Sequence, residues 1–500
     1  MLARVFNTVR YLKPVQIYGR VFRRRPSRLV SGLTFQTRPQ TGQWENAIQR
    51  KCSQIAPNRF RFLNQERRID SWNDPGISKL WLYNLHYFDS PAVELIRQWI
   101  AENPVGKGNG WEPYPLSLRI CNWIKWSLAG NPLEISALES LVSQARYLAE
   151  TVEYHLLGNH LLANAKALVF VGAFFEGRIA ESWLASGLRI LASQLPEQVL
   201  DDGGHFERSP MYHSLILEDV LDLINLRRAF PDLLPDWNGL AGRMLGWLQN
   251  MTHPDGRIAF FNDAAFGVAP EVQALTEYAE RLAIQSNRLP LSNSGYIRLE
   301  NERAVVFFDA APIGPDYQPG HAHADTLSFE LSVNGLRTIV NLGTSTYEKN
   351  ATRDFQRSTE AHSTARVDGR NSSEVWSAFR VARRARPIEV RTDRRAFAQA
   401  SHTGYLRLRD PVIHTRTLEL REEALIISDM IEARGKHDVD IYFHMYPDVD
   451  MPIQLDQQLT RVEKVGNWFP EFNKAVPNKT IIGRWSGQCP AKFVTHIPFK

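Results

Sequence analysis

The chain has 500 residues, 43% of them hydrophobic and 23% charged, with a formal net charge of +5 and a pI near 9.0. This is the composition of a globular protein with ample core and two or more domains. The modest positive field suits an acidic partner, whether nucleic acid, anionic lipid or anionic polysaccharide. Cys52, Cys121 and Cys489 lie far apart with no C-x-x-C, which argues against a disulfide framework and against a cysteine zinc site.

The first stretch, MLARVFNTVRYLKPVQIYGRVFRRRPSRL, threads bases through mildly apolar sequence interrupted by Pro14. It has neither the unbroken apolar core nor the small-residue cleavage site of a signal peptide. No run reaches the ~18 apolar residues of a membrane span. Arg23, Arg24 and Arg25 read as a solvated helix end, because no second membrane anchor is evident beside them.

From about Ile77 to Glu280 the apolar spacing is helical, with Pro and Gly punctuation between segments. It predicts helices over 111–129, 135–157, 153–177, 180–195, 210–230 and 240–251. Paired amphipathic helices of this length suggest an α/α barrel-like layer, although no repeat of fixed period is present. The run 153–177, EYHLLGNHLLANAKALVFVGAFFEG, is apolar nearly all round. At ~100° per residue, Asn159, Ala163 and Lys166 fall close together, with His160 and Asn164 further round the same side. A buried amide or imidazole left unpaired costs about 1–3 kcal/mol, so this polar wall either pairs internally or lines a wet cavity.

The register changes after Pro290. Alternation over 327–333 runs into Asn334-Gly335 and then LRTIVNL, a strong hairpin signal. Further strands are predicted over 396–409, 414–420, 425–431 and 438–445. The reading is therefore a multidomain α+β chain with a helical domain over 1–290 and an antiparallel β-sandwich over 291–500.

Three polar clusters join Asn159-His160. In DDGGHFERSPMYH (201–213), Ser209-Pro210 reads as a helix N-cap and first residue, which puts Tyr212 in the first turn. The positive end of the helix dipole would favour a tyrosinate there, suited to passing a proton back and forth; the alternative is a hydroxyl that caps a neighbour. In HAHAD (321–325), alternation puts His321, His323 and Asp325 on one side, as metal ligands or a charge-binding edge. In RDFQRSTEAHSTARVD (353–368), Arg353 and Arg357 suit bidentate recognition of carboxylate or sulfate, with a solvated loop as the alternative.

Together, GNHLLANAKAL, GGHFERSPMYH, HAHADTLSFEL and RSTEAHSTARVDG, in that order, resemble the heparinase II/III-like polysaccharide lyases, a family that includes alginate and oligoalginate lyases. The resemblance extends from NLHYFD (84–89) and WEPYPLSLRICNWIKW (111–126) into the second half. It implies an incomplete α/α toroid followed by an antiparallel β-sandwich, and β-elimination in a uronic-acid-containing anionic polysaccharide. In such a site Asn159 and His160 would neutralise the sugar carboxylate, Tyr212 would act as acid and often as base, and His321 would reach in from the sandwich. His205, Glu207, Arg208, Arg353 and Arg357 are the candidate substrate-binding residues.

No cofactor is needed for that chemistry. Family members often carry a structural zinc, whose ligands would fall on His323, Asn341 and His362. Asn341 replaces the family aspartate, and a neutral amide is a poor zinc ligand beside a carboxylate. The resemblance also implies the periplasm or cell envelope, with no nucleic-acid partner. Two competing readings stay open: an inverting glycoside hydrolase using carboxyls among Glu207, Asp263 and Glu153, and a non-catalytic glycan-binding protein whose Trp111, Trp123, Trp126 and Tyr114 stack on sugars.

Overall fold

The computed structural model describes residues 2–21 and 35–499, so Arg23, Arg24 and Arg25 lie outside the described residues. Twelve α-helices are present among those described: α1 (Leu2–Val9), α2 (Pro14–Val21), α3 (Lys79–Tyr87), α4 (Val93–Glu102), α5 (Pro113–Leu128), α6 (Ile135–Thr151), α7 (Gly158–Phe174), α8 (Arg178–Gln198), α9 (Pro210–Ala229), α10 (Asn238–Asn250), α11 (Val272–Arg281) and α12 (Ala351–Gln356). No described helix is long and apolar enough to cross a membrane.

α7 is the centre of the helical half: nearly every residue in it is buried, and it packs on α5, α6, α8 and α9. It begins five residues later than the apolar run predicts. Leu157 and Gly158 both take positive φ (61° and 55°), so the chain turns sharply before the helix starts. An L-residue pays backbone strain there, which packing must hold in place. That turn is what presents Asn159 and His160 at the helix's first turn rather than in its middle.

Among the described residues, the strands after Gly295 form two large antiparallel sheets and a small two-stranded one, Val375–Trp376 with Arg380–Val381. One large sheet runs in the order Pro387–Thr392, Phe397–His402, Ile413–Leu420, Ala424–Glu432, Ala491–Pro498. The other runs Thr460–Trp468, Val476–Gln488, Lys436–Met445, Leu336–Val340, Phe329–Val333, Ala304–Asp309, Tyr296–Glu300, with Ala365–Val367 also paired to Lys436–Met445. Leu299, Val306 and Phe308 of the second share an apolar cluster with Leu418, Ile427 and Phe493 of the first. The predicted hairpin is present, with Asn334 and Gly335 at φ 50° and 81° as a tight two-residue loop requires. The strand predicted over 396–409 stops at His402, whose Nδ1 accepts the Gly404 backbone N–H at 3.0 Å and turns the chain. A three-stranded sheet over Gln54–Ala56, Arg59–Phe62 and Gln65–Arg68 has no counterpart in the sequence reading.

Candidate active site

The first turn of α7 carries one side of the site. Asn159 is nearly buried, whereas the His160 side chain keeps 31% of its exposure. His160 Nδ1 lies 3.0 Å from Glu153 Oε2, and its ring packs 4.5 Å from the Tyr114 ring on α5. Tyr114 is within hydrogen-bond reach of the Asn159 amide, and burial pushes its phenol pKa up. One turn further on, the polar wall ends. Asn164 Oδ1 accepts the Glu153 backbone N–H and its amide donates to Ser117 Oγ, while Lys166 is held between Asp219 and Asp222 at 2.7 and 2.6 Å. These two belong to the interior, not to the cleft.

α9 supplies the second side. Ser209 Oγ accepts the Tyr212 backbone N–H at 3.2 Å and Pro210 is the first helical residue, as the sequence predicts. The Tyr212 ring stacks on His321 with centroids 3.8 Å apart, and its hydroxyl is 2.9 Å from that of Tyr347. Burial, followed by Tyr347 and Asp263, raises the Tyr212 pKa well above its usual value. The helix dipole, worth about 0.3–1 kcal/mol at a surface, loses to desolvation here. Tyr212 holds its proton, which corrects the expected tyrosinate.

Between the two halves stands Asp263. Its Oδ2 is 2.9 Å from His321 Nδ1, its Oδ1 is 2.9 Å from His323 Nε2, Thr344 Oγ1 donates to Oδ1 at 3.1 Å, and Arg353 clamps both oxygens. Burial alone would raise its pKa, but Arg353 and the bonds from both histidines hold it well below the usual carboxylate range. A fixed carboxylate that accepts from Nδ1–H orients the His321 ring and leaves Nε2 on the side away from Asp263. That side of the ring looks towards Glu207, 3.7 Å away. Glu207 is buried with neither oxygen hydrogen-bonded among the described residues, and burial pushes its pKa up.

The other expected substrate contacts are placed differently. His205 is fully buried against Gln198. Arg208 donates to the Ser294 and Phe206 carbonyls, Arg353 to Asp263 and the Ala378 carbonyl, and Arg357 to the Ala322 carbonyl. Each guanidinium is engaged by the protein's own oxygens, so these arginines brace the site rather than reach out of it. Asp325 takes the Asn262 backbone N–H and does not enter the cleft.

The zinc positions cluster without forming a good donor set. His323 Nδ1 and His362 Nε2 face each other at 3.1 Å, while Asn341 donates to the Phe260 carbonyl at 2.8 Å and accepts the Ser363 backbone N–H at 3.1 Å. Both ends of that amide are engaged, and no group of three His, Cys, Asp or Glu among the described residues could hold a metal. Two imidazoles and a bonded neutral amide do not fit structural zinc. Burial pushes His323 down to about 3 and also lowers His362, whose Nδ1 lies 2.7 Å from the Ser358 carbonyl.

Tyr347 and the central position of Asp263 were outside the reach of sequence reasoning. Tyr347 lies in a loop with no periodicity, and Asp263 in FNDAAF carries no motif. The carboxyls weighed for a hydrolase are also disposed of by geometry. Asp263 is fully paired and Glu153 holds His160, which leaves Glu207 alone where inversion requires two carboxyl groups.

Sequence and structure comparisons bear on the family and the fold. A family model described as heparinase II/III N-terminus matches residues 96–287, and one described as heparinase II/III-like, C-terminal, matches 284–487. The chain is 26% identical over 318 residues to a heparin-sulfate lyase of Pedobacter heparinus, covering 55% of this chain and 47% of that protein. It is likewise 26% identical over 341 residues to FtsZ-localized protein C of Caulobacter vibrioides, covering 62% and 56%. The chain thus spans about half the length of the curated relatives it matches. A crystal structure of a mutant heparan sulfate lyase from Pedobacter heparinus has a similar fold, with a TM-score of 0.59 at 18% identity, covering 88% of this chain and 81% of that one.

Proposed function

The chain belongs to the heparinase II/III-like family, and from that premise we propose that it is a polysaccharide lyase that cleaves a uronic-acid-containing glycan by β-elimination. The helical half is read as an incomplete α/α toroid over 1–290, and the two large sheets as a β-sandwich over 291–500. The observation that carries the reading is the stack of His321 on Tyr212, with Asn159 and His160 on the adjoining helix end and Tyr347 on the Tyr212 hydroxyl.

The reaction removes the C5 proton of a uronate, forms a C4–C5 double bond and expels the glycosidic oxygen on C4, which must gain a proton. An ionised carboxylate on C5 opposes carbanion formation. The Asn159 amide and the His160 imidazole neutralise it, and one such donor is worth about 3 kcal/mol where charge develops. His321, oriented by Asp263, takes the C5 proton on Nε2. Tyr212, whose raised pKa keeps it protonated, donates to the leaving oxygen, with Tyr347 fixing its hydroxyl. Glu207 meets a sugar hydroxyl beside His321. A hydrogen-bonded histidine pair, His323–His362, supports the fold where other members hold zinc, and no step needs a metal.

The test is a panel of uronic-acid polymers of heparan, alginate and bacterial exopolysaccharide type, followed by ultraviolet absorbance with and without a chelator. An unsaturated uronate appearing at equal rates in both arms supports the reading. New reducing ends without absorbance would replace it with hydrolysis.

A further inference from the structure

α1 and α2 are amphipathic in the reverse sense to the rest of the molecule. On α1, Leu2, Val5, Phe6 and Val9 fall on one helical stripe and all are exposed, Leu2 at 87% and Phe6 at 65%. The side turned to the protein is polar: Thr8 Oγ1 accepts the Trp376 indole N–H at 3.3 Å. α2 repeats the pattern in part, although its Val15 packs on the hydrophobic core. Gln16 is buried and donates to the Tyr317 carbonyl at 3.1 Å, whereas Ile17, Tyr18 and Val21 are exposed, Val21 at 71%. Lys13 pairs with Glu197 and Tyr11 lies 3.7 Å beneath the Arg384 guanidinium, so these contacts and Val15 fasten the arm while Ile17, Tyr18 and Val21 face outwards.

Charge follows the same segment. Residues 2–21 carry Arg4, Arg10, Lys13 and Arg20 with no acidic residue, and the first acidic residue of the chain is Glu45. Nine Lys and Arg precede it, so a chain of net charge +5 is net acidic everywhere else. An apolar stripe flanked by bases is the recognition chemistry of an anionic lipid surface: the apolar side chains enter the headgroup boundary and the bases meet lipid phosphates. A second copy of the arm would bring like charges together, and a soluble glycan would leave the apolar stripe without a role.

The geometry points to Leu2–Val21 as a docking arm that seats the protein reversibly on an anionic membrane surface. Such a seat is a second anchor of the kind the sequence does not disclose, because periodicity alone cannot tell which face of a helix the protein covers.

The full-length protein is sedimented with vesicles of phosphatidylcholine alone and of equal parts phosphatidylcholine and phosphatidylglycerol. Binding to the mixed vesicles only, weakened by salt, is expected. Phe6→Asp with Val9→Asp should weaken it about tenfold or more, and Arg4→Gln with Arg20→Gln should weaken it as well. Val465→Asp, exposed on the edge strand Thr460–Trp468 of the larger sheet, should leave binding unchanged. Thermal midpoints should not move for any of these variants, since the side chains already lie in water. Absence of vesicle binding, equal binding to neutral vesicles, or undiminished binding by the Phe6/Val9 variant would overturn the assignment. So would capture of a soluble polyuronate that the same variant abolishes, because the arm would then be a glycan site.

Discussion

Two histidines, each with its own neighbours, bond to the two oxygens of Asp263. On the cleft side, His321 donates to the carboxylate through Nδ1, stacks on Tyr212 and keeps 14% of its side-chain exposure. On the inner side, His323 donates to the same carboxylate through Nε2, is wholly buried and faces His362 and Asn341. The residue types are alike; what differs is whether each polar atom has a partner within the protein. Around His323 every nitrogen is engaged, so the group can only hold the fold. Around His321 one imidazole nitrogen meets only the Glu207 carboxyl, 3.7 Å away, and both Glu207 oxygens lack a hydrogen bond among the described residues.

The first way to break this comparison is to remove what both sides share. Asp263→Asn leaves the buried Arg353 guanidinium without its countercharge and should cost about 3–5 kcal/mol of stability, read as a lower denaturation midpoint, together with loss of turnover. Next in size, His321→Gln should lower kcat by about 10²–10⁴-fold, the usual weight of a general base, with little change in thermal midpoint. His323→Gln should do the reverse, lowering the midpoint through an unsatisfied buried group by about 1–3 kcal/mol. If the two variants behaved alike, the division between working and bracing histidines would be wrong.

Asn341→Asp sharpens the inner side. It restores an anionic third donor beside His323 and His362, and titration calorimetry should find a zinc site in the variant that is weak or absent in the parent chain. The smallest effect is on pH. Asp429, paired with Arg416 and His414, is held at about 2 despite burial, and Asp263 also lies far below its usual value. Both folded-state pKa values are depressed, so their stabilisation is full above the unfolded carboxylate pKa of about 3.9 and fades as pH falls below it. Thermal midpoints should hold between about pH 7 and 5 and drop below about pH 4, less steeply in Asp429→Asn.

Much of this was legible in the sequence, for identifiable reasons. Ser209-Pro210 is local capping chemistry, so the position of Tyr212 in the first turn follows from neighbouring residues alone. The Asn334-Gly335 hairpin is local in the same sense. The start of α7 was not, because a left-handed Leu157 is imposed by surrounding packing and leaves no mark on the apolar pattern. Nor could sequence tell a guanidinium that reaches for substrate from one that clamps a carboxylate. Arg353 and Arg357 find their partners in Asp263 and the Ala322 carbonyl, 90 and 35 residues away. Tyr347 was missed for the same reason: its partner is 135 residues distant and nothing beside it in the chain announces a role.

The central claim is that Tyr212 delivers a proton during elimination. It is tested most directly by Tyr212→Phe on whichever polyuronate the parent enzyme degrades, with ultraviolet absorbance and glycan affinity measured on the same preparation. The account predicts that absorbance stops rising, by about 10³-fold or more in kcat, while affinity stays within a few-fold of the parent. A variant that makes unsaturated product at the parent's rate would contradict it.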